Sequence, residues 1–270
     1  MPELPEVETI RRTLARHLPG RRIDGLEVRL PKLLRPEPRT FREKVLHRIF
    51  GEPRRQGKIL ILPLDGLALL VHFRLTGQLV FLDTCSPEPP HTHLLFFLDE
   101  ARLAYADLRQ FGWLEVIEEK ELVSHPVLSS LGPEPFSLSA EEFHQRLCRH
   151  RRGLKALLLD QRFLAGLGNI YVDESLFRAA LHPERPANTL SPEEASNLLH
   201  VIREVLCRAI ETGGSSVRNY VDGEGREGSF QLEHLVYGRR GEPCPRCGSH
   251  IVYKRVASRG TYFCPRCQKG

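Results

Sequence analysis

The sequence lacks any long apolar run, although 41% of its 270 residues are hydrophobic. No run approaches the roughly 20 residues that a membrane-spanning helix needs. The first residues are acidic, whereas a secretory leader would have a basic segment followed by an apolar one. A chain of this length has room for one large domain or two ordinary ones. We therefore expect a globular, cytoplasmic protein with no membrane attachment.

The sequence also lacks an internal repeat, a strand-helix-strand rhythm of about 30 residues, and a glycine-rich phosphate loop. Residues 23–118 instead contain short apolar or alternating runs separated by Gly, Pro and Asp. The six clearest runs are KILILPL, LALLVHFRL, QLVFL, HLLFFL, RLAYADL and GWLEVI. Strands with such short connections predict an antiparallel sandwich or barrel.

A helical pattern precedes these strands, at residues 5–19. Pro5 suits the first helical position, and Glu6 and Glu8 lie in the positive first turn. Apolar residues recur along the segment at helical spacing, and Gly20 follows the predicted end of the helix. We assign Glu8 to the solvated face of this helix.

The pattern changes again after a Pro/Ser-rich linker at 124–139. A serine cap begins a predicted helix at 139–147, and a longer predicted helix at 190–214 ends at paired glycines. A Gly-rich polar loop at 213–231 follows, and its length is typical of functional loops. The second half of the chain is therefore predicted to be mainly helical.

Four of the seven cysteines form two Cys-Pro-Arg-Cys pairs separated by sixteen residues, and they are Cys244, Cys247, Cys264 and Cys267. Two such turns supply the four thiolates of a closed structural zinc site. Two disulfides would need an oxidising compartment, to which nothing in the sequence points. We expect one structural Zn²⁺ with a scaffolding role. Cys85, Cys148 and Cys207 lie apart, and we expect them to be buried, reduced thiols.

Positive charge is concentrated in two regions of a chain whose formal net charge is +5. From Leu235 onward the net charge is +7, so the rest of the chain is slightly acidic. A second cluster, RLCRHRRGLK at 146–155, has five Lys or Arg and no acid. This placement favours a polyanionic partner, with nucleic acid first, over charges that are merely solvated.

The sequence resembles the bacterial formamidopyrimidine-DNA glycosylases, which form one base-excision-repair superfamily with the endonuclease VIII proteins. The resemblance covers the whole chain. It is carried by MPELPEVE, Lys58 in RRQGKIL, LGPEP at 131–135, GLGNIYVDESLF, VYGRRGEPC, Arg259 in SRGTYFC and the four cysteines. It implies a monomer that binds double-stranded DNA containing oxidised bases or abasic sites, in a cleft between domains.

The fold class implied is multidomain α+β. An N-terminal helix and antiparallel β-sandwich precede a helical domain with a helix-two-turn-helix element, and a zinc-finger β-hairpin ends the chain. The expected divisions are an N-terminal catalytic domain at 1–123, a linker at 124–139, a helical domain at 140–233 and a zinc finger at 234–270.

The family nucleophile is an N-terminal proline, which here is Pro2 after removal of Met1. A terminal amine has a pKa near 8, so a useful fraction is unprotonated at neutral pH. Attack of this secondary amine on C1′ gives a cationic iminium that acidifies the C2′ proton and leads to β-elimination. Glu3 is the candidate general acid/base, and Glu6 is expected to position the site.

The resemblance implies phosphate contacts at several further positions. Lys58 is expected beside the lesion, where it assists elimination, and Arg259 on the zinc hairpin is expected to assist δ-elimination. The remaining candidates are His72, His91, Arg151, Arg152, Lys155 and Asn169. Asn169 follows glycines at a helix start, where backbone N–H groups favour an anion.

Two loops are expected to fill the gap that an extruded base leaves in the duplex. In the family, the fillers are the methionine of HLGM(S/T)G and the arginine and phenylalanine of DPRRFG. This chain has HFRLTG at 72–77 and DLRQFG at 107–112, so Leu75, Arg109 and Phe111 occupy the filling positions. The departures from the family are Arg74, Leu75, Leu108 and Gln110.

Three functions remain open from the sequence. The first is a bifunctional glycosylase and abasic-site lyase for oxidised purines such as 8-oxoguanine and formamidopyrimidines. The second is an endonuclease VIII-like enzyme for oxidised pyrimidines, against which PELPE argues because that branch typically has PEGPE. The third is a zinc-containing lesion-binding protein without catalysis, which would not need an amine beside a carboxylate.

Overall fold

The computed structural model describes residues 2–217 and 219–269, in two compact units. The first unit contains the chain up to Ser129 together with Ile210–Gln231, and the second contains Ser130–Ala209 together with the chain from Leu232. The loop at 213–231, which the sequence places with the helical domain, thus belongs to the first unit. Within the described residues, no helix is both long and apolar enough to cross a membrane.

The first unit is a β-sandwich with short helices. Its strands are β1 (Ile23–Val28), β2 (Leu34–Arg35), β3 (Arg54–Gln56), β4 (Ile59–Leu64), β5 (Leu67–His72), β6 (Gly77–Asp83), β7 (Thr92–Leu98), β8 (Ala101–Asp107) and β9 (Trp113–Glu118). Its helices are α1 (Leu4–Leu14), α2 (Pro38–Val45) and α3 (Pro126–Ser129), with 3-10 turns at Pro31–Leu33 and Glu119–Glu121. The six predicted strands are confirmed as β4 to β9.

The strands form two sheets, with the orders β1-β7-β8-β6 and β2-β9-β5-β4-β3. All pairs are antiparallel except β2 with β9. Alternate residues of β4, such as Leu60 and Leu62, join one core with Phe96 of β7 and Leu103 of β8. This period of two is what directs one face of each sheet inward, so the sandwich is confirmed.

Helix α1 contributes Val7, Ile10 and Leu14 to the same core. The helix predicted at 5–19 therefore forms, but it ends earlier than expected. Beyond Leu14 the chain tightens, and the N–H of His17 bonds to the carbonyl of Leu14 at 3.0 Å, three residues back. Leu18 stays fully buried after these turns, so apolar periodicity continued past the true end of the helix.

The second unit contains α4 (Ala140–Cys148), α5 (Leu154–Leu158), α6 (Asn169–Arg178), most of α7 (Pro192–Glu211), β10 (Val252–Val256) and β11 (Arg259–Phe263). Further 3-10 turns lie at Pro135–Ser137 and Ala187–Thr189, and another at Phe230–Glu233 begins in the last two residues of the first unit. The predicted cap of α4 is confirmed, because Glu142 N–H donates to Ser139 Oγ and Ser139 N–H donates to Glu142. β10 and β11 pair as an antiparallel hairpin.

The three isolated cysteines are exposed, so the prediction that they are buried is wrong. Cys85 lies in a turn after β6, Cys148 is the last residue of α4, and Cys207 lies on the exposed side of α7. Cysteine is often buried as a residue type, but the position within the element decides each case.

Candidate active site and zinc centre

The start of α1 is buried, and Pro2 and Glu3 both belong to this buried start. Glu3 is the residue before the first helical turn, and its N–H donates to Glu6 Oε2 at 2.8 Å. A chain start usually frays unless it is tied down. Here the residues that would carry the nucleophile and its acid are fixed by the helix. Met1 lies outside the described residues, so its removal stays a prediction.

Glu6 joins this helix start to the Gly-rich loop. Its side chain is 1% exposed, and its second oxygen, Oε1, accepts the N–H of Ser215 at 2.8 Å. The hydroxyl of the buried Tyr220 donates to the backbone carbonyl of Glu6 at 3.3 Å. Gly214 has φ +85°, and a Cβ there would lie 3.1 Å from the Glu6 side chain. This arrangement supports the positioning role expected for Glu6.

Lys58 lies in the two-residue turn between β3 and β4, directly after Gly57, which has φ +57°. The site extends to His72 at the end of β5. Burial lowers the pKa of His72 to about 4, with smaller contributions from the positive charges of Arg74 and Lys58. Its Nδ1 accepts the N–H of Arg74 at 3.0 Å. At neutral pH the His72 imidazole is therefore neutral, and its proton is on Nε2 because Nδ1 is an acceptor.

Glu8 is not on a solvated face, so that assignment is wrong. Its side chain is 12% exposed and forms ion pairs with Arg11 and Arg12 at 2.8 Å and with Arg55 at 3.2 Å. Burial alone would raise the pKa of Glu8, but the arginines lower it to about 2. The sequence analysis missed this cluster because Arg55 is 47 residues away in the chain.

Asp107 anchors both predicted gap-filling loops. Its Oδ1 accepts the hydroxyl of Thr76 at 2.5 Å and the N–H of Arg109 at 3.2 Å, and its Oδ2 accepts the N–H of Gly112 at 2.8 Å. Asp107 N–H in turn donates to the carbonyl of His91 at 3.1 Å. One buried carboxylate therefore sets the shape of the 74–76 and 108–112 segments together. The aspartate of DLRQFG was the available signal, and the sequence analysis did not use it.

The side chains of these loops are presented to solvent. Phe111 is 55% exposed and Leu108 48%, and the Arg109 guanidinium lies 4.9 Å from the centroid of the Phe111 ring. Leu75 is half-buried, and Arg74 has φ +51°. The left-handed backbone at Arg74 explains why the family motif has glycine there, since glycine adopts it without strain.

In the second unit, Lys155 and Asn169 converge on the start of β11 in the zinc hairpin, beside Arg259. Lys155 Nζ and Asn169 Nδ2 each donate to the carbonyl of Gly260 at 2.9 Å, next to the exposed Arg259. Lys155 is fully buried, and its ammonium also lies 2.6 Å from Asp173 Oδ1. The side chain of Lys155 is thus enclosed within the second unit, and its contact with a DNA phosphate stays a prediction.

Two consecutive acids of α6 were missed by the sequence analysis. Asp173 accepts the N–H of Tyr262 at 2.9 Å, and burial raises the pKa of Asp173 to about 7 against the opposing charge of Lys155. Glu174 accepts the N–H groups of Val236 and Tyr237 at 2.9 Å. Two adjacent acids inside the otherwise apolar NIYVDESLF helix were the sequence signal for these contacts.

The remaining basic candidates, Arg151 and Arg152, are exposed beside α5. Arg152 pairs with Asp160 at 2.8 Å, at about half exposure of its side chain. Both are placed where a polyanion could reach them.

The four paired cysteines meet in the second unit. Their sulfur atoms all lie within 4.8 Å of one another, with Cys244 Sγ 3.8 Å from Cys267 Sγ and Cys247 Sγ 3.5 Å from Cys264 Sγ. Four thiolates at Zn–S distances of about 2.3 Å around a tetrahedral ion would stand at similar separations. The donor set therefore suits one structural zinc, as predicted, and all four ligand positions are filled by protein.

Comparison with known families matches three models in chain order. They are the formamidopyrimidine-DNA glycosylase N-terminal domain over residues 1–114, the H2TH domain of the same glycosylase over 131–221, and a zinc finger found in FPG and IleRS over 241–270.

Relatives and solved structures agree with these matches over the full chain. A formamidopyrimidine-DNA glycosylase of Heliobacterium modesticaldum is 49% identical and one of Geobacillus kaustophilus 44%, each with complete coverage of both chains. A Lactococcus lactis FPG mutant bound to DNA containing Fapy-dG superposes with a TM-score of 0.94 at 37% identity, covering all of both chains. The Lactococcus lactis Fpg bound to abasic-site DNA also has a TM-score of 0.94, at 37% identity, covering 99% of this chain and 100% of that one.

Proposed function

The chain belongs to the formamidopyrimidine-DNA glycosylase family of DNA-repair enzymes, and from this premise we propose that it is a bifunctional glycosylase and abasic-site lyase for oxidised purines. The observation that carries the proposal is the buried start of α1. There, Pro2 and Glu3 are held at the helix N-terminus and Glu6 bonds to the Glu3 N–H. Glu3 and Glu6 also cap the helix, but a cap that only began a helix would not need both of its carboxylates to be buried.

Pro2 is the proposed nucleophile once Met1 is removed. Its secondary amine attacks C1′ of the damaged nucleoside and displaces the base, which leaves with the electrons of the glycosidic bond. Glu3 supplies the proton that the departing base or the opened sugar oxygen needs. The amine then loses its proton and the C1′–O4′ bond of the sugar breaks, which gives an iminium at C1′. This iminium is permanently cationic, so it acidifies the C2′ proton, and loss of that proton expels the 3′ phosphate.

Lys58 and Arg259 are the proposed cations of the elimination steps. Lys58 lies close enough to His72 for its charge to lower the pKa of that imidazole, so a phosphate at this place would meet one ammonium and one neutral donor. Arg259 is exposed beside Gly260, whose carbonyl is fixed by Lys155 and Asn169. Both cations would neutralise a phosphate that becomes a leaving group.

Leu75, Arg109 and Phe111 are proposed to fill the gap left by the extruded base. Support comes from their exposure on loops that share the Asp107 anchor. Purine lesions are favoured because one of the two solved Lactococcus lactis complexes described above contains Fapy-dG DNA. The replacements at Arg74, Leu75, Leu108 and Gln110 lie in these same loops, and they keep an endonuclease VIII-like preference for oxidised pyrimidines as the second candidate.

Borohydride trapping tests the proposal. The processed protein is incubated with duplexes that carry 8-oxoguanine opposite C, thymine glycol opposite A, or an abasic site, and an irreversible protein-DNA adduct is expected with the first and third. An adduct with none of them would leave only a lesion-binding protein. An adduct with thymine glycol and the abasic site alone would establish the pyrimidine preference.

A blocked terminus is the matched control. A variant that retains Met1 is expected to bind the abasic duplex almost as well as the processed protein, but to form no adduct, because the Pro2 nitrogen is then an amide. Full trapping by this variant would show that another amine is the nucleophile.

A further inference from the structure

Glu8 and Arg55 form a chain of contacts from α1 to the turn that carries Lys58. Glu8 Oε2 accepts Arg55 Nε at 3.2 Å, and another guanidinium nitrogen of Arg55 donates to the carbonyl of Gly57 at 2.8 Å. The Arg55 side chain is 10% exposed and that of Glu8 is 12% exposed, so solvent screens this link only weakly. Gly57 is the residue directly before Lys58.

This series of contacts joins the residues proposed for base release to the residue proposed for strand elimination. Helix α1 begins next to Pro2 and Glu3, and it packs against β3 and β4. Glu8 lies five residues after Glu3, which is about 7.5 Å along a helix. A rigid helix with a fixed side chain on it can therefore set the place of the β3–β4 turn relative to the nucleophile.

Contacts other than this link hold α1, β3 and β4 together. Val7, Ile10 and Leu14 are fully buried and dock α1 on the core, while the β3–β4 ladder pairs Arg55 with Leu60 through the backbone. Glu8 would also keep Arg11 and Arg12 as partners without Arg55. Arg55 instead orients the β3–β4 turn, because a planar guanidinium donates to two acceptors at once in fixed directions.

We propose that Glu8 and Arg55 are positioning residues that hold Lys58 in place relative to Pro2, and that strand elimination depends on them more than base release does. This inference rests on the proposed function of Pro2 and Lys58. Base release uses Pro2 and Glu3, which lie on α1 itself. Elimination needs Lys58 at the phosphate, and Lys58 directly follows Gly57, the residue at which the link ends.

The test measures two single-turnover rates for each variant. One is base release from a duplex with 8-oxoguanine opposite C, and the other is cleavage of a preformed abasic duplex. For Glu8→Gln and Arg55→Gln we expect cleavage to slow about tenfold relative to base release, as a small misplacement of a catalytic group would cause. The double variant is expected to be no slower than either single variant, because both break one link.

Arg12→Gln is the matched control. Arg12 also pairs with Glu8, but its side chain is 57% exposed and its bond does not lead to Gly57. Its two rates are expected to stay within about twofold of the wild type, as the weak effect of an exposed pair implies. Equal losses in Arg12→Gln and Arg55→Gln would overturn the proposal.

A purely structural role predicts a different pattern. Base release and cleavage would fall together, in proportion to the loss of thermal stability, and that result would also overturn the proposal. A wild-type protein that forms no borohydride adduct would instead refute the proposed function and this inference with it. An active wild type whose variants show no split between the two rates would refute the inference alone.

Discussion

The two units hold their proposed catalytic cations by different means. In the first unit, Glu8 and Arg55 brace the Lys58 turn through side chains that keep some contact with solvent. In the second, Lys155 and Asp173 brace the Arg259 turn through a pair that is 0% and 1% exposed. A pair at the edge of solvent keeps room to adjust, whereas a fully buried pair is expensive to break. The first region is therefore suited to tuning a reaction step, and the second to fixing a scaffold.

Zinc removal should have the largest effect, and this effect should be confined to the second unit. Structural zinc contributes on the order of 10 kcal/mol in small zinc modules, so chelation is expected to unfold the 241–269 region. The protein has one tryptophan, Trp113, which is buried in the first unit. We expect protease cleavage near the cysteines after chelation, with unchanged Trp113 fluorescence. A shift of that fluorescence would show that the first unit also depends on zinc.

The Lys155→Met substitution should have the next largest effect, which is a loss of stability. It leaves the Asp173 carboxylate buried with the Tyr262 N–H but no cation, which costs about 3–5 kcal/mol. The measurement is the urea midpoint of the second unit by circular dichroism. Lys254→Met is the control, because Lys254 pairs with Glu184 at an exposed site and should change stability by less than about 1 kcal/mol. Equal losses would contradict the distinction between buried and exposed pairs.

Asp107→Asn should have a smaller effect, confined to the loops of the first unit. The amide nitrogen of asparagine cannot accept a hydrogen bond, so it leaves either the Gly112 N–H or the Thr76 and Arg109 donors without their acceptor, at about 1–3 kcal/mol. We expect weaker discrimination between C and A opposite 8-oxoguanine, because the gap-filling side chains lose their common anchor. Thr76→Ser is the control, because it keeps the hydroxyl and should leave discrimination unchanged. Unchanged discrimination in Asp107→Asn would separate this anchor from base recognition.

His72→Gln should give the smallest change, in DNA affinity alone. With its pKa lowered to about 4, His72 is neutral at pH 7, and glutamine replaces one neutral donor with another. The dependence of log Kd on log salt concentration should therefore stay the same. Arg259→Gln is the charged comparison, and its slope should decrease by about one. A lower slope for His72→Gln would mean that the imidazole is protonated on DNA.

Local patterns in the sequence predicted the helices and strands of both units better than they predicted the contacts between distant residues. The alternation in β4 to β9 and the serine cap of α4 depend on neighbouring residues, and both are confirmed. Glu8 has the spacing of a solvated helical residue, and Lys155 stands in a basic run that looks like a polyanion site. Their surroundings depend on Arg55 and Gly260, which are 47 and 105 residues away.

The sequence by itself determined the zinc ligands, because two short turns of four residues carry the whole ligand geometry. It also determined that Pro2 precedes a helix with acids in its first turn, since helix starts are local. Only the tertiary structure decided that Glu8 would be enclosed by arginines and that Lys155 would be buried behind Arg259. The charge of a side chain is local, but its burial depends on which distant elements pack over it, and burial decides whether that charge meets solvent or another residue.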